Sequence, residues 1–198
     1  MYSSFPQFAL GFHGCDKKVG QAIIAGKSTL IPSKNVYDWL GSGIYFWENA
    51  PERAMTWAKE CASKPTLTKG TIFEPFVVGA LIDLGNCLNL TNTGYSELLK
   101  VTYQLLADSY QKAGLPLPQN KDKAKLLDCL VINATLKRNQ DLQHSDFDTV
   151  RGAFIEGEPI YPGAALYLQT HIQICVRNPN CIKGYFNPLL PNSAYKVP

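Results

Sequence analysis

Two glycine-containing stretches carry the side chains best suited to bind a small molecule. In GSGIYFWE, Gly41 and Gly43 bracket Ser42 and three aromatic residues follow, while Phe12-His13-Gly14 sets an imidazole beside a glycine. Glycine lets backbone N–H and C=O groups approach a ligand closely, and an aromatic ring beside it offers a stacking face. The imidazole can also hydrogen-bond a hydroxyl. Together the two stretches indicate a cleft for a flat heteroaromatic group such as nicotinamide or adenine, although each alone also fits a bend beside the core.

Composition bounds the kind of protein in which such a cleft would lie. The chain has 198 residues, of which 45% are hydrophobic and 18% charged, and this suits one globular domain over 1–198 with a real core. The net charge of +3, without clustered Lys and Arg, permits an anionic partner but does not predict a nucleic-acid binder. No stretch approaches the roughly 18 apolar residues that a membrane span needs, so no membrane partner is expected.

The cysteines and the N-terminus predict a cytoplasmic protein. Six cysteines are scattered without a CxxC pair or a histidine at metal-ligand spacing, so we expect reduced thiols and no metal. Several lie inside apolar runs such as IQICV, where a free thiol behaves as a small hydrophobic side chain. The opening MYSSFPQFALGF lacks the basic start and the long apolar core of a signal peptide.

The elements that would hold the two glycine stretches can be predicted from residue patterns. FALGFHG indicates a strand that ends in a glycine turn, and VGQAIIAGK indicates a short helix closed by Gly26. ENAPERAMTWAKECAS predicts a second helix, with Asn49 as its N-cap and Pro51 in the first turn. FEPFVVGALIDLG is rich in β-branched and aromatic residues and predicts a strand.

The second half of the chain differs in its periodicity. Between residues 94 and 140, apolar positions recur every three or four residues and predict two amphipathic helices joined by GLPLPQN. We expect this helical insert to pack on one edge of a β-rich body. Residues 147–186 return to strand-like sequence in FDTVRGAF, ALYLQT and HIQICVR. The predicted fold class is therefore α+β.

Four segments, taken in order, resemble the catalytic domain of the poly(ADP-ribose) polymerase-like ADP-ribosyltransferases, the group with a His-Tyr-Glu signature. They are FHG (12–14), LGSGIYFWENAPERAMTWA (40–58), ALIDLGNCLNL (80–90), and FDTVRG (147–152) followed by HIQICVRNPNCIKGYF (171–186). They span about half the chain, and the helical insert has no counterpart among them. The resemblance implies the ADP-ribosyltransferase fold, with two packed antiparallel-rich β-sheets and flanking helices.

The resemblance also implies that NAD is the co-substrate and assigns its contacts. His13 would hydrogen-bond the adenine-side ribose, the backbone of Gly14 would hold the nicotinamide carboxamide, and Tyr45 would stack on the nicotinamide ring. Strand alternation then turns Trp47 towards the same cleft and Phe46 into the core. Further contacts are implied for residues in or just before the glycine turn: Tyr37 or Trp39, Gly43, and Ser42, which lies one residue from the family's hydroxyl position.

The third signature position departs from the family, because Gln173 stands where a glutamate is frequent. Glutamine keeps a hydrogen bond to a ribose hydroxyl but loses the negative charge near the oxocarbenium-like centre that forms as nicotinamide leaves. His171 shares a strand face with Gln173 and could contribute instead. Glu156 and Glu158, which resemble the Glu-x-Glu of toxin-type ADP-ribosyltransferases, could supply the carboxylate or could form a polar loop. Arg151 could pair with an NAD phosphate or with a structural partner.

The expected function is NAD-dependent mono-ADP-ribosyl transfer, a glycosyltransferase reaction that releases nicotinamide and modifies a protein side chain or a nucleic-acid base. The loss of the glutamate charge points away from polymer elongation. The small size and the absence of targeting or reader modules indicate a bacterial toxin or anti-phage defence effector. The resemblance implies that a cognate antitoxin would hold such an enzyme in check. Two alternatives stay open at this point: NAD hydrolysis with water as acceptor, and an inactive module that binds NAD or ADP-ribose.

Overall fold

Seven strands and four α-helices follow one another along the part of the chain that the structure describes. The structure is a computed structural model that describes residues 8–67, 70–121, 124–189 and 194. In chain order the elements are β1 (Phe8–Asp16), α1 (Lys17–Ile24), β2 (Ile44–Glu48), α2 (Pro51–Ser63), β3 (Pro75–Asp83), β4 (Cys87–Asn89), α3 (Ser96–Lys112), α4 (Leu126–Asp141), β5 (Thr149–Phe154), β6 (His171–Val176) and β7 (Ile182–Phe186). Each of the described helices is too short or too polar to cross a membrane.

The strands form one sheet in the order β4-β5-β6-β2-β1-β3-β7. Neighbouring strands are antiparallel except β4 and β5, which are parallel. This mixed and mostly antiparallel architecture agrees with the predicted α+β class, but the expectation of two packed sheets is wrong for the described residues. The reason is β2, which pairs with β1 on one side and with β6 on the other and so joins both halves.

Helices cover both faces of the sheet, because side chains along a strand point alternately to opposite sides. On one side, α1 places Ile23 in a buried cluster with Phe46 and Val78. We call this side the α1 face. On the other side, Ala54 of α2 and Ile132 of α4 join two further buried clusters. We call this side the α2–α4 face. Burial of apolar surface on both faces is the main stabilising contribution to such a fold.

Most elements lie where the sequence pattern places them. The short helix, the strand in FEPFVVGALIDLG and the strands in FDTVRGAF and HIQICVR are confirmed as α1, β3, β5 and β6. The two helices of the insert are confirmed as α3 and α4, and α4 packs on the β4–β5–β6 side of the sheet through Ile132 and Leu136. All six cysteines are free, and five of them are buried.

The start of α2 differs from the prediction that Asn49 is its N-cap. The N-cap is Ala50, which makes no side-chain capping hydrogen bond, and Pro51 occupies the first turn as predicted. Asn49 instead has a left-handed backbone with φ of 50° and donates its N–H to the Leu10 carbonyl at 2.9 Å. Asn49 therefore closes the pairing of β1 with β2, and the N-terminus of α2 lacks a side-chain cap at its N-cap position.

The predicted glycine turn after FHG is also wrong, because β1 continues through Gly14 to Asp16. A Cβ at Gly14 would lie 2.3 Å from the Ala54 carbonyl oxygen and 3.3 Å from the Ala58 Cβ. The glycine is required because the backbone of α2 lies directly on the sheet at this point.

The segment ALYLQT is not a strand, contrary to its sequence pattern. It belongs to the β5–β6 loop, residues 155–170, in which only an isolated bridge joins Pro159 to Tyr167. Leu166 and Leu168 are 62% and 68% exposed, so the alternating apolar residues do not face a core. A turn with a hydrogen bond from the Ala164 N–H to the Tyr161 carbonyl folds the loop back on itself instead.

Candidate functional site

Tyr45, the residue expected to stack on nicotinamide, contacts the protein itself. Its half-buried ring packs on the α2–α4 face against a cluster that includes Val150 and Cys175. Its hydroxyl accepts a hydrogen bond from the Leu40 N–H at 2.8 Å and donates one to the Gly41 carbonyl at 2.6 Å. Burial raises the pKa of this hydroxyl far above its usual value, so the hydroxyl keeps its proton and donates. Tyr45 therefore holds the glycine turn against β2.

The glycines of that turn allow close contact with other parts of the protein. Gly41 has φ of 78°, and a Cβ there would lie 2.7 Å from Asn133 Oδ1 on α4. A Cβ at Gly43 would lie 2.5 Å from Cys175 Sγ on β6. The Ser42 N–H also donates to Asn133 Oδ1, at 3.2 Å. Packing against α4 and β6 thus accounts for both glycines.

His13 lies on the opposite side of the sheet from the Tyr45 ring. Its Nδ1 is 2.8 Å from the Tyr45 carbonyl oxygen, and since a carbonyl oxygen only accepts, Nδ1 carries the proton. The ring centroid lies 5.9 Å from that of Phe46, which belongs to the cluster on the α1 face. Desolvation by burial lowers the pKa of this imidazole. His13 and Tyr45 are neighbours through the backbone, but their rings do not share a cleft.

Arg151 has a structural partner on the α1 face. Its guanidinium donates to both carboxylate oxygens of Glu48, at 2.5 and 3.0 Å, and to Thr91 Oγ1 at 3.1 Å. Hydrogen bonding to Glu48 raises the pKa of this guanidinium above its usual value. Two other predicted site residues, Tyr37 and Glu158, are exposed.

Two of the predicted catalytic residues, Gln173 and Glu156, do come together on the α2–α4 face. They belong to a group of five side chains that we call the Trp47 cluster: Trp47, Arg53, Glu156, His171 and Gln173. β2 supplies the indole, and Trp47 lies opposite Gln173 in the β2–β6 pairing. Arg53 comes from the first turn of α2, and Glu156 from the loop that follows β5. The cluster therefore forms only when four separate segments meet.

His171 and Gln173 determine each other's orientation. His171 Nδ1 is 2.6 Å from the Gln169 carbonyl oxygen, so this nitrogen carries the ring proton. Burial, the largest effect, lowers the pKa of His171, while the hydrogen bond to Gln169 partly offsets it. The unprotonated Nε2 then accepts from the Gln173 amide nitrogen, 3.0 Å away. The amide oxygen of Gln173 consequently points away from His171, where it can accept a hydrogen bond.

An ion pair between Arg53 and Glu156 closes one side of the Trp47 cluster. Arg53 Nη2 lies 3.1 Å from Glu156 Oε2, and both side chains are largely buried, with 12% and 13% exposed. The same carboxylate oxygen is 3.7 Å from His171 Nδ1. The Arg53 guanidinium also lies over the Trp47 ring, 5.5 Å from its centroid. Glu156 thus places a negative charge beside the His171–Gln173 pair.

Three donor nitrogens of the cluster are buried without an acceptor among the described residues: Trp47 Nε1, Arg53 Nε and Arg53 Nη1. Buried donors of this kind are rare in folded proteins, and each costs about 1–3 kcal/mol when it is left unpaired. The cluster therefore contains hydrogen-bonding capacity that the described fold does not use.

Aromatic rings surround the cluster. The Trp57 ring centroid lies 6.0 Å from that of Trp47, and Phe154 lies 5.8 Å from His171. Trp39 continues this series, with its centroid 4.5 Å from Phe154. Phe154 and Trp39 thus form a row of aromatic rings that extends from His171.

A groove of about 730 Å³ runs between β5 and the helices α3 and α4, and Trp39, Phe154 and Gly152 line one end of it. Its wall includes Gly152, which lies opposite Gln173 in the β5–β6 pairing and presents no side chain. The groove has the size of an organic-ligand site. No residue of the Trp47 cluster lines it, but two of its lining residues, Phe154 and Gly152, are neighbours of His171 and Gln173. Among the residues that the structure describes, no three His, Cys, Asp or Glu side chains are grouped to hold a metal ion.

Sequence reasoning placed Trp47 at a cleft and Phe46 in the core, and Phe46 is fully buried. It did not single out Arg53. The signal for Arg53 was its position in the first turn of a helix that directly follows the aromatic strand, because helix N-termini bind anionic groups. Nothing in the local sequence indicated that Glu156 would pair with it.

Comparison with known proteins finds a distant relative. The uncharacterized protein MJ0359 of Methanocaldococcus jannaschii is 27% identical over 190 aligned residues, which cover 87% of this chain and 83% of that protein. No family model matches the chain. No solved structure matches it either. The similarity extends over most of both chains, and it assigns no activity because the relative is uncharacterized.

Proposed function

We propose that the protein transfers a single ADP-ribose unit from NAD to a macromolecular acceptor, with the Trp47 cluster as the reaction site. The position of Gln173 carries the proposal. The segments that resemble the family signature are the adjacent strands β1, β2 and β6, and Gln173 lies opposite Trp47 within them. The groove that ends at Gly152 offers a path to the same point.

The chemistry assigned to the cluster is substitution at the anomeric carbon of the nicotinamide ribose. The glycosidic bond breaks, its electron pair leaves on the nicotinamide nitrogen, and the sugar becomes oxocarbenium-like. His171 orients the Gln173 amide, and the amide oxygen accepts a hydrogen bond from a ribose hydroxyl and so positions the sugar. Glu156 supplies the negative charge that glutamine lacks. An acceptor oxygen or nitrogen then bonds to the anomeric carbon and loses its proton.

The roles of the other predicted residues change in this proposal. Tyr45 holds the glycine turn, and stacking on a flat ring falls to Trp39 and Phe154 at the end of the groove. His13 and Arg151 have structural roles on the α1 face in this proposal. His13 hydrogen-bonds the Tyr45 carbonyl, and Arg151 pairs with Glu48.

The test is incubation of the purified protein with cell lysate and NAD labelled in its adenylate part. We expect label on a macromolecular product that either protease or nuclease, but not both, degrades. Gln173→Ala should lower the rate about a hundredfold or more, since one positioned hydrogen bond at a reacting centre contributes about that much. Gln111→Ala, at an exposed position on α3, is the matched control.

Other outcomes decide against the proposal. Rapid nicotinamide release from NAD alone, with no labelled macromolecule, identifies an NAD hydrolase. NAD binding with neither product identifies a binding module, and absence of NAD binding overturns the proposal altogether.

A further inference from the structure

The unpaired donors of the Trp47 cluster indicate what kind of group is missing there. Trp47 is 7% exposed, and its Nε1 has no acceptor among the described residues. The neighbouring Arg53 uses Nη2 for Glu156 but leaves Nε and Nη1 buried and unpaired within the same described part of the chain. All three unpaired atoms are N–H donors, so the complementary group is rich in acceptor oxygens.

The helix that carries Arg53 adds a second observation. α2 has 13 residues, begins at Pro51 and makes no side-chain hydrogen bond from its N-cap, Ala50. The backbone N–H groups of a first turn point out of the helix, and the helix dipole places partial positive charge there. A guanidinium in the first turn of such a helix favours an anion at that point.

We propose that Arg53, Trp47 and the first turn of α2 form a binding site for a phosphate group. On the proposed function, on which this assignment rests, the group is the pyrophosphate of the dinucleotide. Arg53 provides the planar pair of N–H donors that matches phosphate oxygens, and the Trp47 indole adds a third donor.

The Glu156 side chain lies in this site. Its carboxylate pairs with Arg53 Nη2 at 3.1 Å and leaves the other guanidinium donors unused. A phosphate must therefore displace the Glu156 side chain, which the β5–β6 loop carries. Displacement would break the ion pair with Arg53 and leave the Glu156 carboxylate, now 3.7 Å from His171 Nδ1, without a neutralising partner.

This arrangement predicts opposite effects for two substitutions. Arg53→Gln removes the guanidinium and should weaken binding of inorganic pyrophosphate at least about tenfold, because charge-assisted bidentate contacts are the strong ones. Glu156→Gln removes the competing carboxylate and should tighten binding severalfold. Arg138→Gln, in the last turn of α4, is the matched control and should leave the affinity unchanged.

The measurement is isothermal titration calorimetry of the purified full chain with inorganic pyrophosphate, and separately with ADP-ribose, at low and at physiological salt. Circular dichroism and the melting temperature verify that each variant is folded. If Arg53→Gln fails to fold, Arg53→Lys replaces it, since lysine keeps the charge but not the planar pair of donors. We then expect weaker binding with the fold intact.

The results separate this inference from the proposed function. Pyrophosphate binding that Arg53→Gln abolishes, in a protein that does not consume NAD, supports the phosphate site and defeats the transferase. NAD turnover with an unchanged KM in Arg53→Gln supports the transferase and defeats the site. No pyrophosphate binding at millimolar concentration, or equal binding by Arg53→Gln, means that the unpaired donors bind buried water only, and overturns the inference.

Discussion

Gln173 and His171 are chemically matched at the scale of single residues. The imidazole donates from Nδ1 to the Gln169 carbonyl and accepts at Nε2 from the Gln173 amide. The unprotonated Nε2 of this tautomer needs a hydrogen-bond donor at position 173, and the glutamine amide supplies one. Gln173 therefore donates a hydrogen bond to His171 that a glutamate carboxylate at this position could not donate.

Gln173→Glu should raise the pKa of His171. A carboxylate cannot donate to the Nε2 lone pair, so protonation of Nε2 becomes the way to restore the contact. Glu156 favours the protonated ring and Arg53 opposes it, and neither changes in this variant. NMR titration of labelled histidines measures the shift, with exposed His144 as internal reference. A His171 pKa that is unchanged or lower contradicts the assigned tautomer.

His13 should make the stability of the protein depend on pH. Burial lowers its pKa in the folded state below the usual 6.5, so the unfolded chain binds more protons as the pH falls below that value. The His13 contribution is fully present above about pH 6.5 and is lost as the pH falls towards the folded-state pKa. The free energy of unfolding should therefore decrease on acidification.

The test uses His13→Gln, which keeps an N–H donor for the Tyr45 carbonyl but cannot be protonated. Urea unfolding between about pH 7 and pH 5 should show a shallower dependence in this variant, with the burial of His171 accounting for the remaining slope. His144→Gln is the control and should keep the full slope. An identical slope in His13→Gln would remove His13 from the explanation.

The Tyr45 hydroxyl holds the glycine turn in place. Its hydroxyl bonds Leu40 and Gly41, and Tyr45→Phe leaves the Leu40 N–H without this acceptor. We expect a loss of about 1–3 kcal/mol in the free energy of unfolding, the usual cost of an unpaired buried group. Tyr103→Phe, at an exposed position on α3, should have little effect. Equal stability of Tyr45→Phe and the unchanged protein in urea would rule out this role.

At the scale of elements, glycines determine how closely helices and turns approach the sheet. Gly14 brings α2 onto β1, and Gly41 brings the turn onto α4. The sequence pattern predicts ligand contacts at these glycines, because close approach to a ligand and close approach to another backbone place the same demand on the chain.

Gly14→Ala should destabilise the protein, because its Cβ would lie 2.3 Å from the Ala54 carbonyl oxygen and would push α2 off the sheet. Overpacking of this kind costs about 1–3 kcal/mol. Gly184→Ala on β7 is the matched control, since a Cβ there meets nothing within 4 Å. Urea denaturation compares the two variants. Comparable stability of both would show that α2 adjusts without cost.

At the scale of the whole molecule, β2 connects two halves that come from distant parts of the chain. Phe46 on this strand is fully buried and Ile44 is 3% exposed, and strands flank β2 on both sides. The β5–β6 loop, by contrast, exposes many of its apolar side chains and has few backbone hydrogen bonds to strands. Local opening should follow this difference, since buried and paired backbone opens only with larger parts of the fold.

Hydrogen exchange followed by mass spectrometry should therefore find the slowest amides in β2 and its neighbours β1 and β6. The fastest exchange among the described segments is expected in residues 155–170. If β2 exchanges as fast as that loop, the sheet does not depend on β2 as its central connection.

Several elements could be predicted from the sequence because their signals are local. The apolar spacing in α3 and α4, the proline at the start of α2 and the β-branched run in β3 each act within a few residues. ALYLQT failed because alternation alone does not provide a partner strand, and its leucines face solvent.

The candidate site could be predicted only in part. Gln173 and Glu156 were named from their positions in the chain, and the structure brings them to one cluster. His13 and Tyr45 were also named together, yet their rings lie on opposite faces of the sheet. Arg53 was overlooked, because its partner Glu156 is distant in sequence and no local pattern links them.

The sequence by itself therefore determined most of the elements and the residue types that could do chemistry. Only the tertiary structure decided which of those residues meet. The physical reason is that side chains alternate along a strand with a period of two, whereas strand neighbours and register depend on burial over the whole chain. Once β2 is placed between β1 and β6, Trp47 and Gln173 share a face, and His13 is excluded from it.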